Sequence, residues 1–109
     1  MNNLTQKRCV PCEGVAPPLG KDEVQRLLGQ ISGWSLSGKW ITREFAFKNF
    51  VEAMKFVNRV AALAEEEGHH PDIHIHYNKV RFDIWTHAID GLSENDFILA
   101  AKINALQGC

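Results

Sequence analysis

Histidine is concentrated in one short stretch of this chain: four of the five histidines lie between positions 69 and 76, and the fifth is His87. Histidine is the side chain that titrates near neutrality, so a cluster of imidazoles predicts proton transfer or metal binding. His69 and His70 are adjacent and precede Pro71, which restricts His70 to extended geometry. Consecutive extended residues point apart, so the two histidines are predicted to have different roles.

Metal binding is the weaker of the two chemistries. His74 and His76 form an H-x-H pair, but no thiolate or carboxylate partner follows at typical ligand spacing. Cys9 and Cys12 form a C-x-x-C, which is half of a zinc site or a redox motif. The pair lies in a segment without regular periodicity, which favours a segment that has neither a zinc-binding nor a redox function. Three cysteines are too few and too sparse for a disulfide framework, so reduced thiols are expected. We predict no metal site and no cofactor.

Length and composition limit the class of protein. The 109 residues fit one domain, predicted over 21–109 after a flexible N-terminal tail over 1–20 that is rich in proline and glycine. The net charge is -1 and no basic block marks a nucleic-acid surface. No apolar run approaches the roughly 18 residues of a membrane helix, and no signal peptide is evident. We expect a cytoplasmic protein with no nucleic-acid or membrane partner.

Three helices must position these histidines, and hydrophobic periodicity predicts them over 22–31, 50–67 and 94–107. Asp22, Asn49 and Ser93 are placed to cap their N-termini, and Gly68 is placed to end the second helix in a left-handed conformation. The histidine pair therefore follows directly on the end of the longest helix.

Two β-hairpins complete the pattern, with turns at Ser37-Gly38 and Asn78-Lys79. Their strands are predicted over 34–36, 39–47, 73–77 and 80–85, with Tyr77 as a core residue. The order α-β-β-α-β-β-α predicts an α+β fold: a four-stranded antiparallel sheet with three helices packed on one face. The other face carries two tryptophans and two histidines, which indicates a pocket wall, a subunit contact or scattered surface aromatics. These residues are Trp40, Trp85, His74 and His76.

A multi-point motif then links these elements. The run Glu65-Glu66-Glu67-Gly68-His69-His70-Pro71, followed by Tyr77, His87 and Asp96, resembles the signature of the pterin-4a-carbinolamine dehydratases. In that signature an acidic residue precedes His-His-Pro by four positions, and an aromatic residue, a histidine and an aspartate follow. The stretches 77–80 and 91–96 also look like the family, and the resemblance covers about 20–107.

The resemblance implies dehydration of a 4a-hydroxytetrahydropterin to quinonoid dihydropterin without metal or cofactor. It assigns catalysis to three histidines, support to two acids, and pterin binding to a short loop; these are His69, His70 and His87, then Glu65 and Asp96, then His70, Pro71, Asp72 and Ile73. His69 and His87 would share the acid and base roles, in either order. Glu65 is alternatively a solvated helix-end glutamate, and Asp96 completes a capping box with Ser93.

One departure and two other functions remain open. Many relatives carry an aromatic residue where this chain has Ile73, which would alter one pocket wall. The family implies a homodimer or homotetramer with a pterin substrate. The alternatives are a non-catalytic interaction protein, such as a dimerisation cofactor of a transcription regulator, and a histidine-rich metal-binding module.

Overall fold

A computed structural model describes residues 4–9 and 17–107. Within these residues lie three α-helices and four strands, and 3-10 turns at Leu4–Gln6 and His87–Ile89. The helices are α1 (Lys21–Leu28), α2 (Phe50–Glu67) and α3 (Glu94–Gln107); the strands are β1 (Ser35–Ser37), β2 (Trp40–Ala46), β3 (Asp72–His76) and β4 (Lys79–Ile84). All neighbouring strands pair antiparallel, in the order β1-β2-β4-β3. The predicted α+β class and element order are confirmed.

The second helix has the predicted ends. The side chain of Asn49 accepts a hydrogen bond of 2.9 Å from the backbone N–H of Glu52, which satisfies one of the free donors of the first turn. Gly68 adopts φ 68°, the left-handed conformation that glycine enters without a side-chain clash. This glycine turns the chain out of α2 and directly into the histidine pair.

The core lies between the helices and one face of the sheet. Side chains alternate along the strands, and the buried set comes from the two central strands. Ile41 and Phe45 of β2 lie beside Val80, Phe82 and Ile84 of β4, and none of the five is more than 2% exposed. Each such side chain contributes roughly 1.5–3 kcal/mol by leaving water. The two central strands are therefore the rigid platform from which the loops project.

The third helix is buried on nearly all sides. Its buried residues run without interruption from Asn95 to Ala101, and Ile103 follows. It packs against α2, α1 and the N-terminal 3-10 turn. Despite this apolar surround, no helix within 4–9 and 17–107 combines the length and apolar character that a membrane span requires.

Arg43 lies on the core face of β2, where an unpaired guanidinium would be costly. Its Nη1 donates to Asn104 Oδ1 at 2.6 Å and to the Ser32 carbonyl at 3.0 Å. Its Cζ lies 4.2 Å from the centre of the Phe45 ring, in cation–π contact. Burial lowers the pKa of Arg43 from its usual value, but the side chain is satisfied. Gly33 leaves the space that this side chain occupies.

Substituting Gly33 with alanine should therefore destabilise the fold more than the same change at Gly38. Both glycines have positive φ, at 85° and 62°, which costs an alanine about 1–2 kcal/mol. A Cβ at Gly33 would lie 2.6 Å from Arg43 Nε, whereas a Cβ at Gly38 meets nothing within 4 Å. We expect a further loss of about 1–3 kcal/mol in unfolding free energy for Gly33→Ala, measured by urea denaturation. Equal losses in the two variants would contradict the crowding.

Both predicted hairpin turns are displaced by one residue. Ser37 pairs with Trp40 and His76 pairs with Lys79, so the loops are residues 38–39 and 77–78. Tyr77 is therefore not a core residue: it adopts φ 54° at the turn and is 66% exposed. The second turn is fixed at 77–78 by Asn78, whose carbonyl accepts from the Phe47 N–H and whose side-chain amide donates to the Phe47 carbonyl.

Two predictions at the N-terminus are wrong. The first helix is capped by Gly20 rather than Asp22, and it ends at Leu28 rather than at residue 31. Within the predicted tail over 1–20, Leu4 is 2% exposed and packs in the core, and the Leu19 amide donates to the Leu92 carbonyl at 2.8 Å. The C-x-x-C pair lies partly outside the described residues, which include Cys9 as a free thiol.

Candidate active site

A cleft of about 370 Å³ opens where α2, β3, the end of β4 and the start of α3 meet. It is lined by Gly68, His69, His70, Pro71, Asp72, Trp85, Thr86, His87, Ala88 and Asn95. The three predicted catalytic histidines therefore line one cleft, although a full hairpin separates His87 from His69 and His70 in the sequence. A drug-sized or bicyclic ligand commonly occupies a cleft of this order, roughly 300–1,000 Å³.

Local structure on each side explains why the histidines converge. On one side, the left-handed Gly68 ends α2 and Pro71 holds the chain extended as it enters β3. On the other, Thr86 and Gly91 form an isolated β-bridge with hydrogen bonds of 2.8 and 3.3 Å. This bridge closes the short loop that carries His87, so both histidine segments are fixed to the central sheet.

Asp96 lies beside the cleft and is fully buried, at 0% exposure. Its Oδ1 lies 2.6 Å from His69 Nε2. Its Oδ2 accepts from the Thr86 hydroxyl at 2.9 Å and from the Ser93 backbone N–H at 2.8 Å. Both of the readings of Asp96 therefore apply together: it closes the first turn of α3 and it holds an imidazole.

The Asp96 contact selects one tautomer of His69. An ionised carboxylate only accepts hydrogen bonds, so the proton of the neutral ring is on Nε2 and Nδ1 carries the free lone pair. The His69 side chain is 13% exposed. An imidazole with a fixed ring orientation and one free nitrogen is suited to take up or return a proton.

The second histidine of the pair is held differently. His70 Nε2 lies 2.6 Å from Glu65 Oε2, one and a half helical turns back on α2. Both side chains are open to solvent, with the His70 side chain 58% and the Glu65 side chain 78% exposed. Glu65 therefore contacts the predicted histidine, although an exposed pair of this kind contributes little to stability.

His87 is stacked on an aromatic neighbour. Its ring centroid lies 4.0 Å from that of Trp85, with 37° between the planes, and Trp85 in turn lies 6.3 Å from Trp40. Trp85 lines the cleft. Of the three interpretations of this sheet face, a pocket wall, a subunit contact and scattered surface aromatics, the first therefore applies to Trp85. The indole ring limits the orientations of the exposed imidazole.

The predicted pterin-binding loop is placed in the cleft except at one position. Pro71 and Asp72 line it, but Ile73 pairs with Phe82 and packs against the core, so it is withdrawn from the binding set. Strand alternation is the reason, since Asp72 already faces the open side. Thr86 and Asn95 line the cleft and were not anticipated, because only their proximity to His87 and Asp96 marks them in the sequence.

The two remaining histidines lie on the open face of the sheet. His74 Nε2 is 3.0 Å from Asp83 Oδ2, whose other oxygen accepts from the Thr42 hydroxyl at 2.6 Å. His76 is exposed at the end of β3. Across residues 4–9 and 17–107, no group of three or more His, Cys, Asp or Glu side chains is arranged to hold a metal ion.

The fold and the cleft together define a class: a small α+β protein with a cleft lined by three histidines, one of them in contact with a buried carboxylate. Residues 17–106 match the family model described as pterin 4 alpha carbinolamine dehydratase. The chain belongs to this family of hydro-lyases.

Similar proteins agree with this membership. A protein of Nitrosospira multiformis, provisionally named a pterin-4-alpha-carbinolamine dehydratase, is 52% identical over 97% of this chain and 94% of its own. A similarly named protein of Rubrobacter xylanophilus is 48% identical over 97% of this chain and 100% of its own. A crystal structure of a transcriptional coactivator/pterin dehydratase from Brucella melitensis has a TM-score of 0.78 at 36% identity, covering 82% of this chain and 97% of that one.

A more distant structure shows that the fold also serves another role. It is a pterin dehydratase-like protein identified as a RuBisCO assembly factor in the alpha-carboxysome. It has a TM-score of 0.58 at 26% identity and covers 69% of this chain and 87% of its own. The shared fold is therefore compatible with activities other than dehydration.

Proposed function

We propose that this protein dehydrates a 4a-hydroxytetrahydropterin to the quinonoid dihydropterin by histidine acid–base catalysis. The observation that carries the proposal is the convergence of His69, His70 and His87 on one cleft of about 370 Å³. The family membership supports the choice of a pterin as substrate.

The reaction needs two proton transfers and no redox step. A protonated imidazole gives its proton to the 4a-hydroxyl oxygen, and the C–O bond breaks as water leaves with the bonding electrons. A neutral imidazole takes the proton from the adjacent ring nitrogen, and the freed electron pair forms the new C=N bond. Each transfer contributes roughly 10²–10⁴-fold when the group is well placed. The proton lost to water and the proton gained from nitrogen balance, so the site regenerates once the two imidazoles exchange a proton through solvent.

The contacts favour His69 and His87 for these two transfers. His69 is fixed by Asp96 in the tautomer that leaves Nδ1 free. His87 lies on the other wall, exposed on one side and stacked on Trp85 on the other. Groups on opposite walls can address the hydroxyl and the ring nitrogen of one bound molecule. His70, supported by Glu65, is left to bind the polar edge of the pterin with Asp72.

The test is direct. Purified protein is mixed with freshly generated 4a-carbinolamine, and the ultraviolet change is followed against buffer alone. We expect at least a roughly 10²-fold acceleration. A folded protein that leaves the rate unchanged would overturn the proposal, and in that case co-purification with a protein partner would favour the interaction role.

A further inference from the structure

A second buried carboxylate lies behind the cleft and takes no part in the chemistry above. Glu67 is the last residue of α2, two positions before His69, and its side chain is only 1% exposed. Its Oε2 accepts from Lys102 Nζ of α3 at 2.6 Å. Its Oε1 accepts from the backbone N–H of Cys9 at 2.8 Å. Glu67 is therefore the point where the end of α2, the middle of α3 and the N-terminal segment meet.

The N-terminal segment, residues 4–9, reaches the start of α3 as well. The Lys7 ammonium lies 2.7 Å from the Glu94 carboxylate, and Cys9 Sγ donates to the Asn95 carbonyl at 3.5 Å. Asn95 lines the cleft, and Asp96 follows it. The segment thus joins the two pieces of chain that supply His69 and Asp96.

The charge states of Glu67 and Cys9 are compatible with the hydrogen bonds at this junction. Burial raises the pKa of Glu67, but the hydrogen bonds from Lys102 and from the Cys9 amide outweigh it, and the net pKa lies below the usual range. Burial, with the nearby Glu67 charge, raises the pKa of the Cys9 thiol to about 12. At neutral pH the carboxylate is therefore charged and the thiol neutral, so no like charge opposes the Glu67 contacts.

We propose that Glu67, tied to the Cys9 amide and the Lys102 ammonium, is a positioning residue that sets the His69 imidazole in the cleft. His69 follows Glu67 by two residues, and its 2.6 Å contact with Asp96 also joins the end of α2 to α3, so a shift of Glu67 would move His69 relative to Asp96. The segment 4–9 is then part of the scaffold of the site. The inference rests on the proposed function only through the activity readout, since the position of His69 is measurable without substrate.

The first test compares Glu67→Leu with Glu67→Gln, in a background with Cys12→Ser and Cys109→Ser so that Cys9 is the single thiol. We expect Glu67→Leu to lower kcat by about 10- to 100-fold with KM nearly unchanged, because misplacement of a reacting group acts on the chemical step. Glu67→Gln keeps an acceptor for the Cys9 amide but turns its NH₂ toward Lys102 Nζ, so its loss of rate should be smaller than that of Glu67→Leu. The ¹⁵N signals of the His69 ring should move further toward a mixture of tautomers in Glu67→Leu than in Glu67→Gln.

A second pair keeps the idea testable where Glu67→Leu fails to fold. Cys9→Pro removes the amide donor to Glu67, whereas the control Cys9→Ala keeps it. We expect Cys9→Pro alone to shift the His69 signals and to lower kcat. Identical His69 signals and kcat in the Pro and Ala variants would overturn the inference. If the wild-type protein proves inactive on the carbinolamine, the proposed function fails while the ¹⁵N comparison still decides the positioning role.

Discussion

Replacing His87 with alanine should lower kcat for carbinolamine dehydration by about 10²–10⁴-fold, because one of the two proton transfers loses its group. The fold should survive this change. His87 is exposed and its main contact is the stack on Trp85, so the loss in unfolding free energy should be about 1 kcal/mol or less. The measurement is the initial rate of the ultraviolet change under saturating substrate, with thermal denaturation run in parallel.

His76→Ala is the matched control for this experiment. The side chain is also an exposed imidazole, but it lies at the far end of β3 and faces the open side of the sheet. Its removal should leave kcat at the wild-type value. If His87→Ala kept full activity, or if His76→Ala lost as much, the assignment of the cleft as the catalytic site would be wrong.

Asp96→Asn should separate catalysis from stability at the second key position. The amide oxygen can still accept from Ser93 N–H and the Thr86 hydroxyl, but its NH₂ then faces His69 Nε2. To avoid two opposed donors the imidazole must adopt the other tautomer, which puts its free lone pair at the wrong nitrogen. A wrong tautomer in an acid–base site costs up to about 10⁴-fold in kcat. The unfolding free energy should fall by only about 1–3 kcal/mol.

Asp90→Asn provides the comparison for this substitution. Asp90 has the same side chain, but it is exposed and pairs with Lys39 Nζ at the surface, at 2.8 Å. Loss of a surface pair costs about 1 kcal/mol or less, and the cleft is untouched. Activity and urea midpoint should both stay close to the wild type. An Asp96→Asn enzyme with normal kcat would show that the His69 tautomer does not matter to the reaction.

The parts of the fold that could be predicted are those governed by local rules. Asn49 caps the start of α2 and Gly68 ends it, as predicted, because N-capping and the left-handed conformation of glycine depend on a few adjacent residues. The second hairpin turn differs from the prediction because Asn78 bonds Phe47, a contact between residues 31 apart in sequence. The partner of Arg43, Asn104, lies on a helix 61 residues further along the chain, so this contact could not be predicted from the strand alone.

The candidate site also has residues that could be predicted from the sequence and residues that could not. The histidines and Asp96 were identified by residue type and by likeness to a family motif, and the structure brings them together. Ile73 was misplaced because its neighbour faces the cleft and strand alternation turns it inward. Thr86 and the Glu67 contacts escaped notice because their meaning depends on which segments meet in space. The spacing of residues along one helix or strand predicts which of them lie together, whereas the residues that position a site come from several elements.

The double duty of Asp96 has a consequence for how this protein can change. The first turn of a helix can ordinarily fray without disturbing the rest of the fold. Here one carboxylate closes that turn and also grips an imidazole of the cleft. Loosening the start of α3 and releasing the histidine are therefore a single event. A substitution at Asp96 should therefore change the stability of the helix start and the position of His69 together.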